Sequence, residues 1–204
     1  MFLEIRKAVL SGIMISIGGA VYLSCLAKNL PWLGAFLFAT GLFTICEYGF
    51  NLYTGKVGYL ANRFREGKYW VLVLVTLCFN LLTTWLLGAL AKAFLPDIKA
   101  LALSVYKNKL SLPLWRVFVS AVFCGILMYI AVDTWSRGKK EGIFLCIPTF
   151  ILCGFDHCVA NSFYSGFALG FDVFTLDNIL FSLICILGNG CGAVIIPLML
   201  KNKK

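Results

Sequence analysis

Long apolar stretches separated by short charged segments account for most of the chain. A helix that crosses the hydrocarbon core of a bilayer needs about twenty mainly apolar residues. Stretches of about this length cover residues 8–27, 32–50, 69–95, 114–135, 142–163 and 178–200. The pattern therefore predicts an all-α membrane protein with six transmembrane helices, arranged as a single domain over residues 1–204.

Composition and charge agree with a bilayer protein. Hydrophobic residues make up 61% of the chain and charged residues 13%, whereas soluble domains average about 45–50% and about 25%. The net charge of +9 is concentrated between the apolar stretches rather than on a basic face with interleaved aromatic residues, so no nucleic-acid partner is predicted. The nine cysteines form no C-x-x-C pair and there is one histidine, so neither a metal site nor a cofactor is predicted.

The basic residues also predict how the chain crosses the membrane. If the six stretches alternate in direction, most of the basic residues fall on one side. The positive-inside rule assigns that side, and both termini, to the cytoplasm. The cytoplasmic set is Arg6, Lys7, Arg63, Arg65, Lys68, Arg137, Lys139, Lys140, Lys201, Lys203 and Lys204, against Lys28, Lys92, Lys99, Lys107 and Lys109 on the other side.

Polar residues inside the apolar stretches are the strongest candidates for function, because each must find a partner or line a cavity. Such residues occur in the second stretch and its end, residues 47–56, and in the fifth stretch, residues 154–161. Asp156 and His157 lie in the latter; a purely structural interpretation is that they satisfy each other or a neighbouring helix. Asn80 and Asn189 lie at matching places in the third and sixth stretches.

These matching positions predict an internal repeat. Polar, glycine-interrupted segments in corresponding helices of two halves are typical of inverted repeats with a pathway at their interface. The prediction is three plus three helices, with repeats over about 1–100 and 110–204 and with interrupted second and fifth helices. Irregular backbone is expected at Gly55 and Gly154, where packed protein or a water-filled cavity must surround it.

At these segments the sequence resembles the formate/nitrite transporter family. Residues 154–161 read Gly-Phe-Asp-His-Cys-Val-Ala-Asn, similar to the family's G-F-E-H-S/C-V/I-A-N signature with Asp156 in place of glutamate. Residues 52–55 read Leu-Tyr-Thr-Gly, similar to its L-F-T-G/S loop. Gly188-Asn189 and Phe79-Asn80-Leu81 resemble its sixth-helix and third-helix motifs, so the resemblance covers nearly the whole chain.

The resemblance implies an aquaporin-like protomer that assembles as a homopentamer, with one pore in each protomer. It also implies a set of site residues. These are Thr54, His157 and Asn161 at the pore centre; Leu52, Tyr53 and Phe150 at a cytoplasmic constriction; Phe38 and Leu42 at an outer constriction; Lys109 as the residue that attracts anions; and Asp156, Asn80 and Asn189 as supporting polar residues. Departures from the family pattern occur at Lys56, Asn51 and Gly125.

The expected function is a channel or transporter for a small monovalent anion such as formate, nitrite or hydrosulfide, in a prokaryotic inner membrane. His157 is the group whose ordinary pKa lies near neutrality, so proton exchange there could let a neutral acid cross the apolar constrictions. The alternative is an aquaporin-like pore for a neutral solute, although paired N-P-A motifs are absent. Two further hypotheses fit the polar segments less well. One is an intramembrane enzyme that uses Asp156 and His157, and the other is a purely structural subunit.

Overall fold

The computed structural model describes residues 1–200, and in this range the chain is helical with no β-strand. The α-helices are α1 (Phe2–Ala27), α2 (Pro31–Glu47), α3 (Tyr53–Lys56), α4 (Leu60–Arg63), α5 (Gly67–Phe94), α6 (Lys99–Leu110), α7 (Leu114–Ser136), α8 (Glu141–Leu152), α9 (Cys158–Leu169) and α10 (Leu176–Met199). Short 3-10 turns at Val57–Tyr59 and Pro96–Ile98 join α3 to α4 and α5 to α6. The predicted cytoplasmic residues Lys201, Lys203 and Lys204 lie outside the described residues.

Four helices, α1, α5, α7 and α10, are long and apolar enough to cross a membrane. The apolar helices α2 and α8 are shorter, at 17 and 12 residues. The all-α prediction is confirmed, and the first, third, fourth and sixth apolar stretches each coincide with one long helix. The fifth stretch is not one helix, because α8 ends at Leu152 and α9 begins at Cys158.

The two interruptions of the helices have the same local structure. Glycines with positive φ, Gly49 (+64°) and Gly154 (+71°), stand just after α2 and α8. The next residue closes the helix end in each case: the amide of Phe50 donates to the carbonyl of Ile45 over 2.8 Å, and the amide of Phe155 to the carbonyl of Phe150 over 2.9 Å. Both ends are therefore Schellman-type caps, which glycine favours because the left-handed region carries no Cβ penalty there.

The backbone is extended just beyond each glycine. Leu52 (φ −111°, ψ 131°) precedes α3, and His157 (φ −103°, ψ 112°) precedes α9. Irregular backbone was expected at Gly55 and Gly154. The expectation for Gly55 is wrong, because Gly55 is helical and the break lies at Gly49 and the residues after it.

Close helix crossings hold the interrupted segments in place. α7 packs along α10, and α5 packs along α9. At Gly125 in α7, an added Cβ atom would lie 2.3 Å from the carbonyl oxygen of Asn189 in α10. Gly125 therefore lets the two backbones approach closely at the level of the second interruption.

Helix α6, which the sequence analysis left between spans, packs against α9. Its residues Ala102 and Tyr106 are fully buried, and the Tyr106 hydroxyl donates a hydrogen bond to the side-chain oxygen of Asn178. This packing brings Lys109, near the end of α6, over the second interruption.

Candidate functional site

The two interruptions meet through one side-chain contact. The Oγ1 atom of Thr54 lies 2.9 Å from Nε2 of His157. Both residues are nearly inaccessible to solvent, at 1% and 2% relative exposure. The ring of Phe150 stacks on the imidazole, with ring centroids 5.7 Å apart. A polar pair therefore lies buried where segments from the two halves of the chain meet.

The cap of α9 determines the tautomer of His157. Its Nδ1 atom accepts a hydrogen bond from the backbone amide of Ala160 over 3.1 Å. Because a backbone amide can only donate, Nδ1 carries no proton in this arrangement. In the neutral imidazole the proton is then on Nε2, which donates to the hydroxyl oxygen of Thr54. His157 thus presents a fixed N–H donor toward Thr54.

Asn80, on α5, holds the first interruption. Its Oδ1 atom accepts from the backbone amide of Tyr53 over 2.9 Å. Its Nδ2 atom donates to the carbonyl of Ala8 over 2.8 Å and to the carbonyl of Asn51 over 3.1 Å. The asparagine thereby satisfies two backbone groups of the break, the amide of Tyr53 and the carbonyl of Asn51, and joins them to α1. Irregular backbone at membrane depth requires such partners.

Asn189, on α10, makes the corresponding bonds at the second interruption. Its Oδ1 atom accepts from the amide of Cys158 over 2.8 Å. Its Nδ2 atom donates to the carbonyl of Ala121 over 2.8 Å and to the carbonyl of Asp156 over 2.7 Å. Asn80 and Asn189 are both fully buried, and each joins an interrupted segment to a long helix.

The side chains of Asp156 and His157 make no hydrogen bond to each other, although the two residues are adjacent. Its carboxylate accepts from the ammonium of Lys109 over 2.6 Å, from the hydroxyl of Ser120 over 2.8 Å and from the amide of Asn161 over 3.0 Å. Extended backbone at His157 turns successive side chains to opposite sides. Of the two structural alternatives, mutual pairing of Asp156 and His157 is therefore wrong, whereas pairing with neighbouring helices describes Asp156. Asn161 supports Asp156 and makes no side-chain hydrogen bond to Thr54 or His157.

A cavity of about 360 Å³ opens where α2 and α7 end and α5 begins. We call it the Lys56 cavity. Lys56 and Arg63 are the charged residues that line it, and Leu42 and Leu52 lie among its apolar lining residues. Leu42 and Leu52 are 1% and 2% exposed.

A second cavity, of about 280 Å³, lies between the ends of α6 and α8 and the beginning of α9. We call it the Lys109 cavity. It is lined by Phe38, Phe150, His157 and Asn161, and by Lys109, its only charged lining residue among residues 1–200. The rings of Phe38 and Phe150 pack edge to face with centroids 6.2 Å apart. The Lys56 cavity thus reaches Leu52 and Gly55, on either side of Thr54 in the chain, and the Lys109 cavity reaches His157.

These cavities correct the grouping of the constriction residues. Leu42 was paired with Phe38, but it lies one helical turn nearer the end of α2 and lines the Lys56 cavity with Leu52. Phe150 was grouped with Leu52, but it lines the Lys109 cavity with Phe38. Tyr53 lines neither cavity. Its hydroxyl donates to the carbonyl of Ile186 over 3.2 Å, because the turn that begins α3 directs it toward α10.

Comparison with known proteins assigns the family. The family model described as formate/nitrite transporter matches residues 4–201. The chain belongs to the formate/nitrite transporter family. It is therefore an integral, multi-pass membrane protein and a channel or transporter, and the prediction that it is not an enzyme is confirmed by these comparisons.

This chain is also similar to individual proteins. An uncharacterized transporter, YrhG, of Bacillus subtilis (strain 168) is 29% identical in an alignment 183 residues long that covers 80% of this chain and 67% of that protein. A pentameric formate channel with formate bound superposes with a TM-score of 0.77 at 23% identity, covering 97% of this chain and 94% of the channel chain. A second structure, described as an FNT family ion channel, gives a TM-score of 0.74 at 20% identity, covering 95% and 84%. These structures share the fold of this chain.

Sequence reasoning missed two residues of the site. Ser120 on α7 both donates to the Asp156 carboxylate and accepts from the Asp156 amide, over 2.8 and 3.0 Å. Gly49 shapes the first interruption. Aligning the two breaks by their glycines would have identified Gly49, since Gly-Phe-Asn51 matches Gly-Phe-Asp156. No sequence signal identifies Ser120, because a serine in an apolar helix commonly bonds to its own backbone.

Residues 1–200 contain no group of side chains suited to hold a metal ion.

Proposed function

We propose that this protein is a channel for small monovalent anions of the formate, nitrite or hydrosulfide class, conducting through the Thr54–His157 pair. The observation that carries the proposal is the buried contact between Thr54 Oγ1 and His157 Nε2, 2.9 Å long, between two cavities. Leu42 and Leu52 on one side, and Phe38 and Phe150 on the other, form the apolar constrictions.

Hydrogen-bond donors at an otherwise apolar point suit a small anion. A bare ion loses its hydration shell on entering an apolar constriction, which is costly unless protein groups replace the water. The Nε2–H of His157 and the hydroxyl of Thr54 can both turn toward an oxyanion once they release each other. A hydrated cation finds no carboxylate at this point, because Asp156 is already engaged with Lys109.

Proton exchange at His157 is the second part of the proposal. A bound anion stabilises a protonated imidazole beside it. Nδ1 takes up a proton from water in a cavity, and the resulting imidazolium passes its Nε2 proton to the anion, so that a neutral acid crosses the apolar residues at a much smaller desolvation cost. The imidazole left behind regains the Nε2–H form when Nε2 takes a proton from water and Nδ1 releases one. Protonating Nδ1 displaces the Ala160 amide from its acceptor, so the exchange is coupled to the cap of α9. Flux through the wild type should accordingly depend more steeply on pH than flux through His157→Asn.

The proposal also covers the topology of the protomer and its assembly. We propose six membrane crossings, in which α2 with α3–α4 and α8 with α9 form the two interrupted spans. The matched breaks and the matched asparagines Asn80 and Asn189 support an inverted repeat of three plus three helices over about 1–100 and 110–204. Both termini are proposed to be cytoplasmic, in a prokaryotic inner membrane. The likeness to a pentameric formate channel supports a homopentamer with a pore in each protomer.

Reconstitution tests this function directly. Purified protein in liposomes should admit formate, nitrite and hydrosulfide, measured as uptake over a series of pH values, with protein-free liposomes as the control. Glycerol and water permeability should stay at the level of the control. Permeation of a neutral solute without anion flux would support the aquaporin-like alternative and overturn the proposal. Native mass spectrometry in detergent should give a mass of five chains, and a stable monomer would contradict the assembly.

A further inference from the structure

The two cavities differ in how their charge is balanced. In the Lys109 cavity, the ammonium of Lys109 lies 2.6 Å from the fully buried carboxylate of Asp156. The cation and the anion cancel at any distance much larger than their separation. Lys109 therefore contributes little net positive potential to its own cavity mouth, although the family resemblance implied that it attracts anions.

Lys56 is placed differently. Its side chain is half-buried and lines the Lys56 cavity. In residues 1–200, no carboxylate lies within 4.0 Å of its ammonium, since the ion pairs in this range involve other basic residues. A partly desolvated ammonium without an anionic partner is unfavourable, and a small anion in the cavity would relieve that cost.

The charged groups that act on Lys56 leave the region positive. Glu4, Lys7 and Arg63 lie close enough to interact with it electrostatically. Glu4 is the one acid among them, and its carboxylate accepts a 2.6 Å hydrogen bond from the side-chain amide of Asn51. Arg63 lines the same cavity, with its guanidinium 4.9 Å from the ring centre of Tyr69 and only a distant, solvent-exposed pair with Glu66 at 4.0 Å.

We infer that Lys56 is an anion-binding residue at the cavity mouth opposite Lys109, and that small monovalent anions are captured more strongly from the Lys56 side. The ligand is the anion that the protein conducts, so this inference rests on the proposed function. Capture should consequently be asymmetric: the half-saturating concentration of formate should be lower, and more dependent on salt, at the Lys56 mouth than at the Lys109 mouth.

Membrane vesicles of defined orientation test this asymmetry. Right-side-out and inverted vesicles from one expression host present opposite mouths to the medium. Trypsin added outside identifies which vesicle population exposes the Lys56 mouth. The turn on that side carries the exposed residues Arg137, Lys139 and Lys140. Cleavage in this turn is recognised by the sizes of the fragments. Initial rates of labelled formate uptake are measured against concentration in both populations, at ionic strengths of about 0.01 M and about 0.1 M, where the screening length falls from about 30 to about 10 Å.

The variants compare one charge in the cavity with one outside it. Lys56→Gln should raise the half-saturating concentration about fivefold at the Lys56 mouth at low ionic strength, the effect of losing one partly screened ion contact, and should leave the Lys109 mouth unchanged. Lys56→Arg should keep the wild-type value. Lys68→Gln removes an exposed charge on the same side of the protein and should have no effect, which separates local binding from surface potential.

Each outcome bears on a different claim. If the wild type takes up formate and Lys56→Gln has the same half-saturating concentration as the wild type at both ionic strengths, the inference is overturned and the proposed function stays intact. Absence of wild-type anion uptake would overturn both. If Lys56→Gln does not accumulate in the membrane, the wild type still decides: equal salt dependence at the two mouths contradicts the inference.

Discussion

Replacing Lys109 should destabilise the protein, because its charge supports a buried carboxylate rather than free solution. Asp156 is fully buried, and without Lys109 its carboxylate retains only the hydroxyl of Ser120 and the amide of Asn161 as side-chain donors. Breaking a buried ion pair on one side generally costs about 3–5 kcal/mol. The Lys109 side chain is 18% exposed, so water partly replaces it, and the lower end, about 3 kcal/mol, is expected for Lys109→Ala.

Thermal unfolding of the purified protein, followed by tryptophan fluorescence, measures this loss. A change of about 3 kcal/mol corresponds to a fall in melting temperature of about 6–12 °C for a chain of this size. Lys107→Ala is the matched control, since Lys107 is exposed on the same helix and forms no ion pair with a described residue. Its melting temperature should stay at the wild-type value.

A second substitution distinguishes an unpaired charge from lost packing. Asp156→Asn in the Lys109→Ala background removes the buried negative charge and should recover about half of the lost stability. Lys109→Ala with an unchanged melting temperature would refute the reasoning. So would a double variant less stable than Lys109→Ala alone.

The remaining predictions concern the backbone of the interruptions. Asn189→Ala removes the hydrogen bonds to the amide of Cys158 and to two carbonyls; it should cost about 2–4 kcal/mol by thermal unfolding and lower anion flux by displacing His157. Asn80→Ala should behave in the same way at the first interruption, and wild-type stability in either variant would contradict the role given to both. Gly125→Ala places a Cβ 2.3 Å from the Asn189 carbonyl oxygen and should lower the free energy of unfolding by about 1–3 kcal/mol. Gly67→Ala, whose Cβ would meet nothing within 4 Å, should leave it unchanged.

The sequence predicted the helices that can be recognised by their length and hydrophobicity. The long helices follow from uninterrupted apolar stretches, and the helix break in the fifth stretch follows from Gly154 and the polar residues after it. Helix α6 was not predicted, because its 12 residues are too few and too polar to resemble a membrane span. The break at Gly49 was misplaced to Gly55 because both are glycines in a polar segment, and only the φ angle separates them.

The candidate site was predictable from the sequence only where a segment resembles a family motif. Thr54 and His157 were expected to lie together because residues 52–55 and 154–161 resemble motifs of the formate/nitrite transporter family, and their side chains lie 2.9 Å apart. The constriction residues were grouped incorrectly, since Leu42 and Phe38 lie one turn apart on α2 and their different depths cannot be read from sequence. The partner of Asp156 was also unpredictable, because the extended backbone at His157 decides to which side each side chain points.

The most direct test of the central role of the Thr54–His157 pair is formate flux into liposomes containing wild-type protein, His157→Asn or His157→Phe, beside their melting curves. His157→Phe fills the position with an apolar ring and should reduce flux at least about tenfold, as expected from the loss of one hydrogen bond to a charged ligand. His157→Asn keeps an N–H donor and should retain intermediate flux with a flatter dependence on pH. A folded His157→Phe protein that conducts formate at the wild-type rate, with the wild-type pH dependence, would contradict the account.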